Sequence, residues 1–303
     1  MQALRLAARH GRALLVLGLI AGFALPGLAA ALKPALPPMV AGLVFISALR
    51  IGMRAALGNL RQARTSLGLV LTLQLGVPLA LIGLLALTGW YGSAAGLALV
   101  LVMSAPSISG APAFSVMLGH EPAPAMRLLI LGTAILPLTI LPIFWLTPAL
   151  GGPAEVVLTA LRLTLVIAIA VAAAFALRRR FFPDPRPETI QALDGLAALS
   201  LAIIVIGLMS AVGPTLRSDP AALLGWLALA FAVNIGMQIA ARSFGASVPV
   251  SVIAGNRNIA LFLVALPASV TDPVLTFIGC YQVPMYLTPI LMQRFYGPAA
   301  TQS

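Results

Sequence analysis

Apolar residues in this 303-residue chain come in runs of roughly twenty, set apart by short stretches of proline, glycine and arginine. At about 1.5 Å of rise per residue, a helix of about 20 residues spans a hydrocarbon core about 30 Å thick. Only 8% of the residues are charged and 61% are hydrophobic, where soluble domains carry about 25% charged residues. A water-soluble fold of this composition would have too few polar side chains to cover its surface. The sequence therefore reads as an all-α polytopic membrane protein whose surroundings are a lipid bilayer.

The runs predict ten transmembrane helices, at 13–32, 38–51, 66–88, 94–118, 126–146, 156–177, 193–212, 220–240, 248–266 and 274–292. They form a single membrane domain, 1–303, with five-helix halves 13–150 and 156–296 parted at Gly151-Gly152-Pro153. The opening MQALRLAARHGR followed by an apolar run is similar to a signal peptide. The run 13–32 is longer than a signal's apolar region and is followed by further spans, so it is expected to be retained as the first helix. No soluble domain is expected; the proline-rich stretch RRRFFPDPRPE at 178–188 is the one linker-like segment.

A net charge of +11 could indicate nucleic-acid binding, but the basic residues sit in short clusters between apolar runs. With the N-terminus inside, one side receives Arg5, Arg9, Arg12, Arg50, Arg54, Arg61, Arg64, Arg127, Arg178-Arg179-Arg180, Arg186, Arg242 and Arg294. The other side receives only Lys33 and Arg217, while Arg162 and Arg257 fall within spans. This asymmetry follows the positive-inside rule. It predicts a multi-pass protein of the inner (plasma) membrane with both termini cytoplasmic, and no nucleic-acid partner. The segment 51–64 is expected at the cytoplasmic interface, its arginines among the headgroups.

Enzyme chemistry finds little to work with. The sole cysteine, Cys280, excludes an intramolecular disulfide, a Cys-rich zinc site or an iron–sulfur cluster. His10, His120 and all the acidic residues (Glu121, Glu155, Asp184, Glu188, Asp194, Asp219 and Asp272) lie in loops or near span ends. No nucleophilic triad, zinc-ligand set or carboxylate pair falls within the spans, so neither an enzyme nor a bound cofactor or metal is expected.

Two spans are interrupted at matching places. The fourth carries SAPSISGAP, Ser104 to Pro112, and the ninth, fourth of its half, carries IAGNRN, Ile253 to Asn258. Proline and glycine cannot sustain regular helical hydrogen bonding there. Irregular backbone survives in a membrane only where protein or a polar cavity satisfies it. Paired interruptions in two halves point to an inverted-repeat transporter and its binding site. Arg257 at mid-span costs about 2.5–3.5 kcal/mol on insertion scales and requires partners. It is expected either to pair with substrate or to bridge neighbouring carbonyls.

The chain resembles the bile acid:sodium symporter family, within the bile acid, arsenite and riboflavin transporter grouping, as a divergent bacterial-type member. The resemblance rests on APSISGAPAFSVMLGHE at the first crossing, AGNRNIALFLVAL at the second, and LTLQLGVPL in the third helix. It implies a panel of helices 1, 2, 6 and 7 beside a core of helices 3–5 and 8–10, with alternating access about the crossing of helices 4 and 9. It also implies a small organic anion as substrate. Carried over by position, Ser109 and Asn258 would contact that anion, and Ser107, Asn256 and Arg257 complete the candidate substrate-binding set. Gln74, Thr133 and Gln282 are candidates for the ion-site position or for core hydrogen bonding.

The departures bear on sodium as the coupling ion. The family's Ser-Asn pair falls on Ala111 and Pro112, its intramembrane glutamate on Ile253 and its glutamine on Arg257; Gln74 alone matches. With these ligands replaced, transport is expected not to depend on sodium. The alternative on the same fold is a non-transporting receptor or sensor.

Overall fold

The computed structural model of the protein describes residues 1–52 and 63–297. It is 85% helical, with no strand among the described residues. In chain order the helices are α1 (Gln2–Arg9), α2 (Gly11–Ala24), α3 (Pro26–Leu32), α4 (Leu36–Ile51), α5 (Ala63–Leu71) and α6 (Val77–Thr88). Next come α7 (Ala94–Ser104), α8 (Ala111–Met117), α9 (Ala123–Trp145), α10 (Pro153–Phe181), α11 (Pro187–Leu208) and α12 (Val212–Ser218). The remainder are α13 (Pro220–Ser243), α14 (Val248–Gly255), α15 (Ala268–Thr271), α16 (Leu275–Leu291) and α17 (Gln293–Tyr296).

Among the described residues seven helical rods are long and apolar enough to cross a membrane: Pro26–Ile51, Arg64–Thr88, Ala123–Trp145, Pro153–Phe181, Pro187–Ser218, Pro220–Ser243 and Ala268–Leu291. A bent pair, Gln2–Arg9 with Ala13–Ala24, makes an eighth if taken as one span. This is a multi-pass, all-α membrane protein. Helices suit the setting because each satisfies its own backbone where no water can. The interfacial segment expected at 51–64 falls mostly outside the described residues.

The chain divides into two compact units. The first comprises 1–58, 158–223 and 260–282. In it α11 is the element against which α1, α2, α3 and α4 pack. Gly195 on α11 allows α1 to lie directly on it, since a Cβ there would stand 1.7 Å from the Leu4 carbonyl oxygen. After a break at His10 the helix is broken again at Leu25, and it then runs from Pro26 through a 3-10 turn at Lys33–Ala35 to Ile51. The sequence placed that turn at 33–37. Pre-proline sterics explain the shift, because Pro26 drives Leu25 out of the helical region (φ −118°, ψ 67°). Pro37 and Pro38, by contrast, occupy the first turn of α4, where no backbone donor is needed.

The C-terminal end of α4 is capped from a distance. Arg178 Nη1 donates to the carbonyls of Leu49 (2.7 Å) and Arg50 (2.6 Å), and Arg50 is ion-paired with Asp194. A guanidinium at a helix C-terminus meets both orphan carbonyls and the negative end of the dipole.

The second unit comprises 59–157, 224–259 and 283–303. Two of its shorter helices are deeply enclosed: α7 is buried from Gly96 to Ser104, and all eight residues of α14 are buried. A helix that is apolar on every face belongs inside a bundle. The expected span 94–118 stops at Ser104 and resumes at Ala111; the expected span 248–266 stops at Gly255 and continues as a 3-10 turn at Ile259–Val264.

Candidate functional site: the crossing of two broken helices

The two interruptions meet. The Ile108 N–H donates to the Asn256 carbonyl (3.0 Å), and the Asn258 N–H donates to the Pro106 carbonyl (2.8 Å). Ser107 and Arg257 stand opposite each other in an antiparallel bridge between these bonds. Backbone groups released by two helix ends thus satisfy one another, which is what an interruption inside a membrane protein requires.

Arg257, only 1% exposed, holds the crossing together through three backbone carbonyls. Its Nε donates to Ala254, its Nη1 to Ala105 and its Nη2 to Leu73, each at 3.1 Å. Each of these carbonyls has lost its helical donor for an identifiable reason. That of Ala254 would take the Asn258 N–H, which Pro106 has claimed. Ala105 lies beyond the last turn of α7, where the chain becomes extended (ψ 151°). Leu73 lies in a π-helical turn, Thr72–Gly76, whose register is set by the Val77 N–H donating to Thr72. In that i to i−5 register the donor for Leu73 would be residue 78, and Pro78 has no N–H. Five donors on one planar, permanently charged group suit it to collecting such acceptors.

Beside Arg257, Asn256 is fully buried in a network that the sequence reading did not anticipate. Its Nδ2 donates to the Val252 carbonyl (2.7 Å), while its Oδ1 accepts from Asn234 Nδ2 (3.2 Å) and Thr288 Oγ1 (3.0 Å). Asn234 Nδ2 also reaches the Gly255 carbonyl at 2.5 Å. Gln238 Nε2 donates to Asn234 Oδ1 (2.8 Å) and Thr288 Oγ1 (3.2 Å), and Tyr296 Oη donates to Gln238 Oε1 (2.9 Å). Asn234, Gln238 and Thr288 are likewise completely buried. A signal for part of this was available: Asn234 and Gln238 are carboxamides four apart on an otherwise apolar span, hence on one helical face.

The candidate residues fall into three groups. Ser107, Asn256 and Arg257 are buried in the crossing, the Ser107 hydroxyl turned onto the Ile108 carbonyl (3.2 Å). Ser109 and Asn258 flank the bridge and remain partly exposed, as does Gly110. The other three lie on other helices than the two broken ones. Gln74 is buried in the π turn, its Nε2 toward the Gly132 carbonyl (3.4 Å) and its Oε1 without a hydrogen-bond partner. Thr133 is half-buried on α9, and Gln282, in the first unit, bonds along its own helix to Ile278 (2.8 Å).

Compared with known proteins, the chain matches no family model and no curated sequence. At the crossing the partly exposed hydroxyl of Ser109 and carboxamide of Asn258 flank irregular backbone and a buried, permanently charged guanidinium. Among the described residues no cluster of three or more His, Cys, Asp or Glu side chains could hold a metal ion.

Proposed function

We propose that the protein is a secondary carrier of a small organic anion, bound at the crossing by Ser109 and Asn258. The observation that carries this reading is the antiparallel pairing of Pro106–Ile108 with Asn256–Asn258, which gathers two helix breaks and the Arg257 charge at one place. A buried guanidinium favours a neighbouring carboxylate or other anion and disfavours a cation. Paired breaks of this kind are the form that binding sites take in transporters built from inverted repeats.

The reading also accounts for the span count. The seven long helices, the bent pair at the N-terminal end and the two interrupted segments, 94–117 and 248–264, together make ten. Ten spans with both ends inside is the arrangement the arginine distribution favours.

The test is uptake into proteoliposomes of a panel of labelled carboxylates differing in size, with and without a sodium gradient. At least one acid is expected to accumulate, and S109A and N258A to weaken its uptake about tenfold each. A native protein that moves none of them, or one whose uptake is indifferent to both substitutions, would rule the reading out.

A further inference from the structure

The carboxamides behind the crossing are aligned in one direction. Gln238 presents its oxygen to Tyr296 and its nitrogen to Asn234 and Thr288. Asn234 presents its oxygen to Gln238 and its nitrogen to Asn256 and the Gly255 carbonyl. Asn256 presents its oxygen to Asn234 and its nitrogen to the Val252 carbonyl. The chain therefore has a donor end and an acceptor end. Its last acceptor is a backbone carbonyl, which cannot reverse its role, and its first donor is the phenol of Tyr296.

Alignment of this kind is all or none. Were Gln238 to flip, its oxygen would face Asn234 Oδ1; were Asn234 to follow, its oxygen would face the Gly255 carbonyl. Each flip sets two acceptors against each other in a fully buried place, where an unmade hydrogen bond is costly. Tyr296 lies in α17, beyond the last membrane-spanning rod, which ends at Leu291, yet it is only 7% exposed. Burial raises its phenol pKa well above the ordinary value, with Arg242 offsetting part of that, so the hydroxyl keeps its proton. Close approach at the far end of the relay adds stiffness. A Cβ on Gly255 would lie 2.1 Å from the Asn234 carbonyl oxygen and 2.5 Å from Gln238 Cγ, so α13 and α14 touch there without slack.

We infer that Tyr296 is a positioning residue for the crossing: through Gln238, Asn234 and Thr288 it fixes the Asn256 side chain, and with it the backbone pairing that presents Ser109 and Asn258. The C-terminal helix α17 thereby governs how tightly the two helix breaks are held. The inference takes Ser109 and Asn258 as the binding positions, in line with the proposed function. Its test does not require transport.

The experiment uses the full chain in proteoliposomes, with the single native cysteine removed (C280A) and a reporter thiol introduced as S109C. The rate of reaction with a charged, water-soluble methanethiosulfonate reagent reports how open the crossing is. Y296F deletes only the donor and is expected to raise that rate about tenfold, the change one buried hydrogen bond supports. T288V cuts the relay one link further on without touching α17 and is expected to raise it as well, so the outcome does not hang on one variant's folding. In a Q238L background Y296F is expected to add nothing, because both act through one bond. A rate unchanged by Y296F and T288V, or effects of Y296F and Q238L that simply multiply, would overturn the inference. Absent uptake of every acid with the labelling response intact would remove the carrier reading and leave the relay. The reverse pattern would remove the relay alone.

Discussion

Arg257 shows what a single residue must do to remain charged among apolar helices. It answers three carbonyls that proline or chain reversal has deprived of donors, at Leu73, Ala105 and Ala254. Replacing it with methionine keeps much of the volume and leaves three buried acceptors unmet. R257M is expected to lose on the order of 3 kcal/mol or more of stability, read as a lower unfolding midpoint in detergent. Arg257→Lys should fall between, since an ammonium has no planar fork to span three acceptors. Pro78→Ala offers the Leu73 carbonyl a backbone N–H in competition with Nη2. It should extend the π register by one bond and make the protein less sensitive to R257M in a double-mutant cycle. At this scale the sequence was partly legible. A lone arginine in a span announces that partners exist, but backbone carbonyls have no signature in the sequence, so the partners could not be named. Thr288 and Tyr296 were illegible for a related reason, since each is an ordinary residue until another helix is laid beside it.

Interruptions were the best-read elements, because proline and glycine act on their own neighbours. SAPSISGAP and IAGNRN break where their residues dictate, at Ser104–Ala111 and after Gly255. The π turn at Thr72–Gly76 was not readable, as TLQLG is compatible with a regular helix, and only the missing donor at Pro78 hints otherwise. The break at Leu25 was missed and one expected at 33–37 instead, because Pro34, Pro37 and Pro38 cluster there while Pro26 stands alone. Position in the helix decides, and first-turn prolines are harmless. Two predictions belong to elements. Gly255→Ala forces α14 away from α13 and should cost about 1–3 kcal/mol, as overpacking does, with a parallel rise in thiol labelling of S109C. Arg178→Ala uncaps α4 by removing its two bonds to Leu49 and Arg50. About 1–2 kcal/mol is expected for a half-buried charged donor, measurable as faster proteolysis near Gly52 in membranes.

For the whole molecule, composition alone established a multi-pass α-helical membrane protein, because apolar run length is a property of the bilayer and needs no tertiary knowledge. Length and hydropathy among the described residues give seven spans, or eight with the bent pair; the proposed ten is reached only if the two broken segments are counted as well. Reporter fusions after Gly151 and at Ser303 are expected on opposite sides of the membrane; agreement between them would remove the ten-span arrangement. The expected independence from sodium, part of the proposed function, rests on the crossing. A sodium ion needs several oxygens to replace its hydration shell, and the helix breaks offer chiefly carbonyls. Three of those carbonyls already hold the Arg257 guanidinium, which also brings a positive charge to the place. Two unit charges about 4 Å apart repel by roughly 4 kcal/mol at an effective dielectric of 20, close to three powers of ten in affinity. Under the proposed carrier function, uptake of an accepted acid is therefore expected to be unchanged when potassium replaces sodium on both sides of the vesicle. Arg257→Gln, in a protein still folded, should be the variant in which a dependence on the cation first emerges. A native carrier that stops when sodium is withdrawn would mean that the ion binds away from the crossing and that the guanidinium is structural alone.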